Sequence, residues 1–163
     1  MKWARAKPRG IPSLGPTARG CKGESKLTET LCAFNITRKS FLGLQVCRAD
    51  TPFARLRGLL GRKRLSSNEG LWMVPSRGVH TIGLMFPTDI VYLDAGLTVV
   101  HTIEHLPAFR IAPVKMGAQT VLELAVRSIY SSRTQVGDKL LICSPEALKE
   151  RWRELRPAVG SPR

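Results

Sequence analysis

Apolar residues in this chain come in short runs, and a proline, a glycine or a polar turn cuts each run within a few residues. Runs of about four to eight residues suit strands and are too short for long helices. Eleven prolines and fourteen glycines keep the breaks frequent, because proline removes a backbone donor and glycine weakens element interiors. No run approaches the roughly 18 apolar residues of a bilayer-spanning helix, so no membrane span is expected. Hydrophobic residues still make up 43% of the 163, which supports the core of one domain.

The runs at 31–36 and 42–47 flank Thr-Arg-Lys-Ser and read as two strands of a hairpin. Asp50 or Thr51 can cap a helix with Pro52 in its first turn. Phe53, Leu56, Leu59 and Leu60 recur at helical spacing, and Gly61 is a plausible stop. Further strands are expected at 70–74, 79–86, 90–94, 97–105, 120–126 and 139–143. Asp94-Ala95-Gly96 is a tight-turn signal between two of them, and residues 106–117 read as a long loop. Ser144-Pro145-Glu146 opens a last helix, with Leu148, Trp152 and Leu155 on one stripe. Strands that do not alternate with helices exclude a doubly wound parallel sheet. The expected fold is mainly β, a β-rich α+β arrangement. It is a small, strongly curved, mostly antiparallel sheet or barrel, with the helix near 52–61 covering one opening or edge and a helix at the C-terminus.

Charge divides the chain. The formal net charge is +14, and residues 1–40 carry nine Lys/Arg against two Glu, half of that excess. Residues 1–26 hold four glycines and three prolines and are expected to be a disordered basic tail. Residues 27–143 form the β-rich domain, and 144–163 the C-terminal helix and its tail. No apolar stretch of secretory type follows the first basic residues. Cys32, Cys47 and Cys143 sit among apolar residues and read as buried reduced thiols, so a cytoplasmic location is expected.

Residues 33–143 resemble the widespread prokaryotic family catalogued as domain of unknown function 192. The resemblance rests on Ala49-Asp50-Thr51, Arg57-Gly58-Leu59-Leu60-Gly61, Glu69-Gly70-Leu71-Trp72 and His80-Thr81-Ile82-Gly83. Phe86-Pro87-Thr88-Asp89, Val91-Tyr92-Leu93-Asp94, Val121-Leu122-Glu123-Leu124 and Gly137-Asp138-Lys139-Leu140 complete it. It implies a compact β-rich fold and no established reaction. Where family members often carry Pro-Ala-Gly, this chain has Ala125-Val126-Arg127. A left-handed turn there would cost Arg127 roughly 1 kcal/mol that glycine avoids.

His80, Asp89, Glu123 and Asp138 are the polar residues inside these apolar segments. Alternation puts Val121 and Glu123 on one face of their strand, with Leu122 and Leu124 on the other. A buried Glu123 needs a partner, and Arg57 or His80 could supply it. Asp89 and Asp138 precede strands, where aspartates commonly bond nearby amides. His80 reads as a half-buried, hydrogen-bonded histidine or as a group in a polar cleft with Asp89 and Glu123. His101 and His105 lie about 13 Å apart along a strand, too far to hold one metal. With no Cys-x-x-Cys, phosphate loop or nucleophile motif, no metal or cofactor is expected. Arg55, Arg57, Arg62, Lys63 and Arg64 form a dense basic patch for weak, phosphate-driven nucleic-acid contact. The reading that follows is a non-catalytic binding module whose small-molecule or protein ligand meets His80, Asp89 and Glu123. A small hydrolase-like enzyme using the same residues and a basic nucleic-acid accessory protein are the alternatives.

Overall fold

The computed structural model describes residues 30–155, and the side chains only as far as Arg151. The expected tail over 1–26 lies outside the described residues, as do the side chains of Trp152 and Leu155 in the last apolar stripe. Among the described residues nine strands and three helices follow one another: β1 (Leu31–Asn35), β2 (Ser40–Ala49), α1 (Pro52–Arg57), β3 (Glu69–Met73), β4 (Val79–His80), β5 (Thr88–Leu93), β6 (Val99–Leu106), β7 (Ile111–Ala112), β8 (Thr120–Ala125), α2 (Ser128–Ser132), β9 (Leu140–Cys143) and α3 (Pro145–Leu155).

Seven strands form one strongly curled, half-barrel sheet in the order β6-β5-β8-β3-β2-β1-β9. The hairpins β1–β2 and β5–β6 are antiparallel, as the turn residues imply. One neighbour pair, β2–β3, is parallel. The connection between them carries α1 and is long enough for the crossover that parallel pairing requires. The two sheet edges meet at one end, where Thr98 bridges Lys139 and the Val99 amide donates to the Asp138 carbonyl at 2.8 Å. This contact curls the sheet toward a barrel and covers part of its exposed edge.

Strand alternation sorts the core into two layers. Val91, Leu93, Leu122 and Leu124 point into the half-barrel with Leu42, Val46 and Leu140. Ile90, Tyr92 and Val121 point to the opposite face beside Leu71 and Met73 of β3, and Leu59, Val79 and Leu84 pack against them. A third cluster joins Phe34 and Cys32 to Leu148 of α3.

Several local expectations change. Helix α1 ends at Arg57, with Gly58 as its cap at φ 44°, and Thr51 accepts a hydrogen bond from the Ala54 amide at 3.1 Å. Its apolar stripe is not buried as a unit: Leu59 is 3% exposed, whereas Phe53 is 71% and Leu56 64% exposed. The run over 79–86 keeps only β4 as strand. Thr81 Oγ1 accepts from the Arg110 amide and the chain turns through Gly83 at φ 85°. The expected loop over 106–117 contains β7, which pairs with β4 in a separate two-stranded ribbon. Helix α2 has no sequence signal, because five residues are too few for a helical period. Its N-cap, Arg127, adopts the left-handed conformation at φ 70°, the turn that glycine would make without strain. Cys32 and Cys143 are free thiols. Cys47 is disulfide-bonded, so the expectation of three reduced thiols does not hold there.

Candidate functional site

Glu123 sits in the middle of β8, a strand buried along its whole length. Its cross-strand neighbours are Leu71 on β3 and Ile90 on β5. The carboxyl is therefore flanked on both sides by aliphatic side chains, on the sheet face shared with Tyr92 and Val121. Glu123 is 3% exposed. Among the described residues it makes no hydrogen bond and no ion pair. Burial alone pushes its pKa up from the ordinary carboxylate range to about 8, because the charged form loses hydration with nothing to replace it. At neutral pH Glu123 is a carboxylic acid, able to donate one hydrogen bond and accept others. Burial and the nearby Glu123 also push Tyr92 up to about 12, and its hydroxyl donates to the Pro113 carbonyl at 2.9 Å.

Glu123 lines a cavity of roughly 270 Å³ between α1, the end of β3, β4 and the turn after it. Leu59, Met73, Val79 and Leu84 are its buried apolar walls, while Leu56, Arg57, His80 and Ile82 are exposed around it. The size falls just below the usual range for small-ligand pockets, about 300–1,000 Å³.

Of the three residues expected to share a cleft, the fold brings two together. His80 lines the same cavity as Glu123. It is exposed rather than half-buried, and its side chain makes no hydrogen bond among the described residues. Its ribbon partner is Ile111, so these two face outward while Val79 and Ala112 face the core. Asp89 is elsewhere. On β5 it shares a face with Val91 and Leu93 and points away from the Glu123 side. Its two oxygens accept from the His105 amide at 2.9 Å and the Ile129 amide at 3.0 Å, so it fixes α2 across the end of the half-barrel. A one-residue offset between neighbouring strands separates the two carboxyls to opposite faces.

Asp138 takes the turn role expected of it. It accepts from Asn35 Nδ2 at 3.0 Å, the Gln135 amide at 2.9 Å and Arg38 Nε at 3.0 Å. Burial opposes ionisation, but these donors and the Arg38 charge hold its carboxyl below the ordinary range. Asn35 also donates to Thr134, which meets Ser132 at 2.7 Å. This buried network had no signal in the sequence, because its members are far apart along the chain.

The basic cluster is only partly available. Arg55 donates to the carbonyls of Asp50 and Val74, and Arg62 pairs with Glu69 at 3.4 Å. Arg57, Lys63 and Arg64 are exposed. Among the described residues, no three His, Cys, Asp or Glu side chains stand close enough to hold a metal ion. No described helix is long and apolar enough to cross a membrane.

With this geometry in view, comparison with known proteins places the chain. The model of domain of unknown function 192, described as "Uncharacterized ACR", matches residues 34–142. The chain belongs to that family. The match begins within β1, ends within β9 and includes every described residue that lines the Glu123 cavity. Two crystal structures share the fold. A protein of unknown function from Novosphingobium aromaticivorans DSM 12444 is 18% identical with a TM-score of 0.60, over 69% of this chain and 83% of its own. A proposed transcription regulator from Sinorhizobium meliloti 1021 is 21% identical with a TM-score of 0.59, over 73% of this chain and 97% of its own. No curated protein matches the sequence. The family and these neighbours carry the fold and leave the activity to be argued from the site.

Proposed function

We propose that the protein is a small-ligand binding module of this family, that the Glu123 cavity is its binding site, and that it acts by binding rather than by catalysis. One observation carries the reading: Glu123, a residue only 3% exposed, lines a cavity, and its carboxyl has no hydrogen-bond or ion-pair partner among the described residues. An unpaired buried polar group costs about 1–3 kcal/mol. A fold that keeps one beside a cavity is supported by a ligand that completes its hydrogen bonds. Asp89, whose oxygens are already used, drops to a supporting role for α2. His80 and Arg57 remain at the mouth as ligand contacts.

A thermal-shift screen of small apolar acids, amides, alcohols and amines tests this. Stabilising compounds should lose their effect in Ile82→Trp, which fills the cavity from its exposed wall. Hits that stabilise the wild type and Ile82→Trp equally would place binding elsewhere and end the proposal.

A second reading, weak nucleic-acid contact, is supported by the exposed cations Arg57, Lys63 and Arg64. Arg55 and Arg62 add less, since backbone carbonyls and Glu69 occupy them. The cytoplasmic placement is supported by the free thiols Cys32 and Cys143 and opposed by the bonded Cys47. Alkylation of thiols in freshly lysed cells decides it.

A further inference from the structure

We infer, building on the reading of this cavity as a ligand site, that its ligand is a small amphiphilic monocarboxylate. The ligand carboxylate meets Glu123 and Arg57, and the alkyl body lies against Leu59, Met73, Val79 and Leu84.

The argument begins with what Glu123 lacks. Leu71 and Ile90 flank it across the sheet, so no strand neighbour offers a donor or an acceptor. A ligand must therefore bring the complementary group. Two carboxyl groups can share one proton in a single short hydrogen bond, as paired carboxylates do in other buried sites. Glu123, held protonated by its surroundings at neutral pH, is the donor and the ligand carboxylate the acceptor. No bond is made or broken beyond this shared proton.

The charges around the cavity choose the sign of the ligand. Arg55 and Arg57 from α1 and His80 from β4 line it, and among the described residues Glu123 is the only acid to do so. Tyr92 from β5 is the other titratable group coupled to Glu123, and it stays neutral far above pH 7. Arg55 is held by two backbone carbonyls, whereas Arg57 makes no hydrogen bond or ion pair among the described residues. A cation would meet this positive field, and an anion is drawn into it. Leu59, Met73, Val79 and Leu84 then exclude ligands that are polar throughout, because their hydration would be lost against hydrocarbon.

A cavity of roughly 270 Å³ limits the ligand to a small molecule. Heptanoate, a small amphiphilic monocarboxylate, is a suitable probe.

The test is NMR titration of the full chain at pH 6.5 with sodium heptanoate, heptan-1-ol and heptylamine. Heptanoate should shift the signals of Val79, Leu84 and Glu123 and bind more tightly than either other probe. Its affinity should weaken about tenfold per pH unit above about pH 8 as Glu123 loses its proton. Glu123→Leu should weaken it tenfold or more while the fold persists, since leucine suits the site. Glu123→Gln keeps a donor, so it should retain binding and lose the pH dependence. Arg57→Gln should remove the preference over heptan-1-ol. If heptylamine or heptan-1-ol binds the cavity more tightly than heptanoate, the monocarboxylate assignment is wrong and the cavity reading survives. If none of the three shifts a cavity signal, both fail.

Discussion

Replacing Glu123 by glutamine changes one atom and removes one titration, and the consequence for stability can be worked out. In the unfolded chain the carboxyl has its ordinary pKa of 4.5, and in the folded protein it is pushed to about 8. Below pH 4.5 both states hold the proton and the group contributes no pH dependence. Between the two values the unfolded chain releases the proton while the folded protein keeps it. Folding then takes up a proton, and stability falls as pH rises. The slope is about 1.4 kcal/mol per pH unit, so wild type loses about 3 kcal/mol between pH 5 and pH 7 from this one group. Above about pH 8 both states are ionised and the deficit stays constant. Every other titrating group is common to the two proteins. Urea unfolding of both at pH 5, 6, 7, 8 and 9 therefore isolates the effect. The stability of Glu123→Gln relative to wild type should climb steadily from pH 5 and level off near pH 8. A difference that stays flat across this range would mean that Glu123 ionises near its ordinary value. The carboxyl would then be solvated or paired, and the argument from its missing partner would fall.

Other outcomes follow from the same contacts. Asp89→Ala leaves the amides of His105 and Ile129 without acceptors and should cost roughly 2–4 kcal/mol, with α2 amides exchanging faster by NMR. Arg127→Gly relieves the left-handed cap at φ 70° and should raise stability by about 1 kcal/mol in denaturant unfolding; a loss would show that the Arg127 side chain contributes more than its backbone strain removes. His80→Ala alters an exposed side chain with no hydrogen bond among the described residues, so its unfolding free energy should stay within about 0.5 kcal/mol of wild type. Duplex DNA binding, measured by fluorescence anisotropy, should weaken steeply with salt, and Arg57→Gln/Lys63→Gln/Arg64→Gln should flatten that slope; an unchanged slope would exclude this cluster.

The sequence by itself determined the elements whose signals are local. Pro52 and Thr51 started α1, Asp94-Ala95-Gly96 turned β5 into β6, and alternation in Val121-Leu122-Glu123-Leu124 already put Glu123 opposite its leucines. A repeat of two residues in a strand survives any tertiary context, so the mainly β class was legible too. What tertiary structure alone decided was which face of one strand meets which face of another. Asp89 and Glu123 looked like members of one cleft because both interrupt apolar segments. Pairing of β5 with β8 sets Ile90, not Asp89, opposite Glu123, and that single-residue offset sends the carboxyls to opposite sides of the sheet. The same nonlocal pairing left Glu123 between Leu71 and Ile90 instead of beside Arg57 or His80 as a bonded pair. It also gathered Asn35, Thr134 and Asp138 from distant parts of the chain. Burial and partnership depend on neighbours about 5 Å away across a sheet and tens of residues away in sequence, and periodicity along one strand carries no record of them.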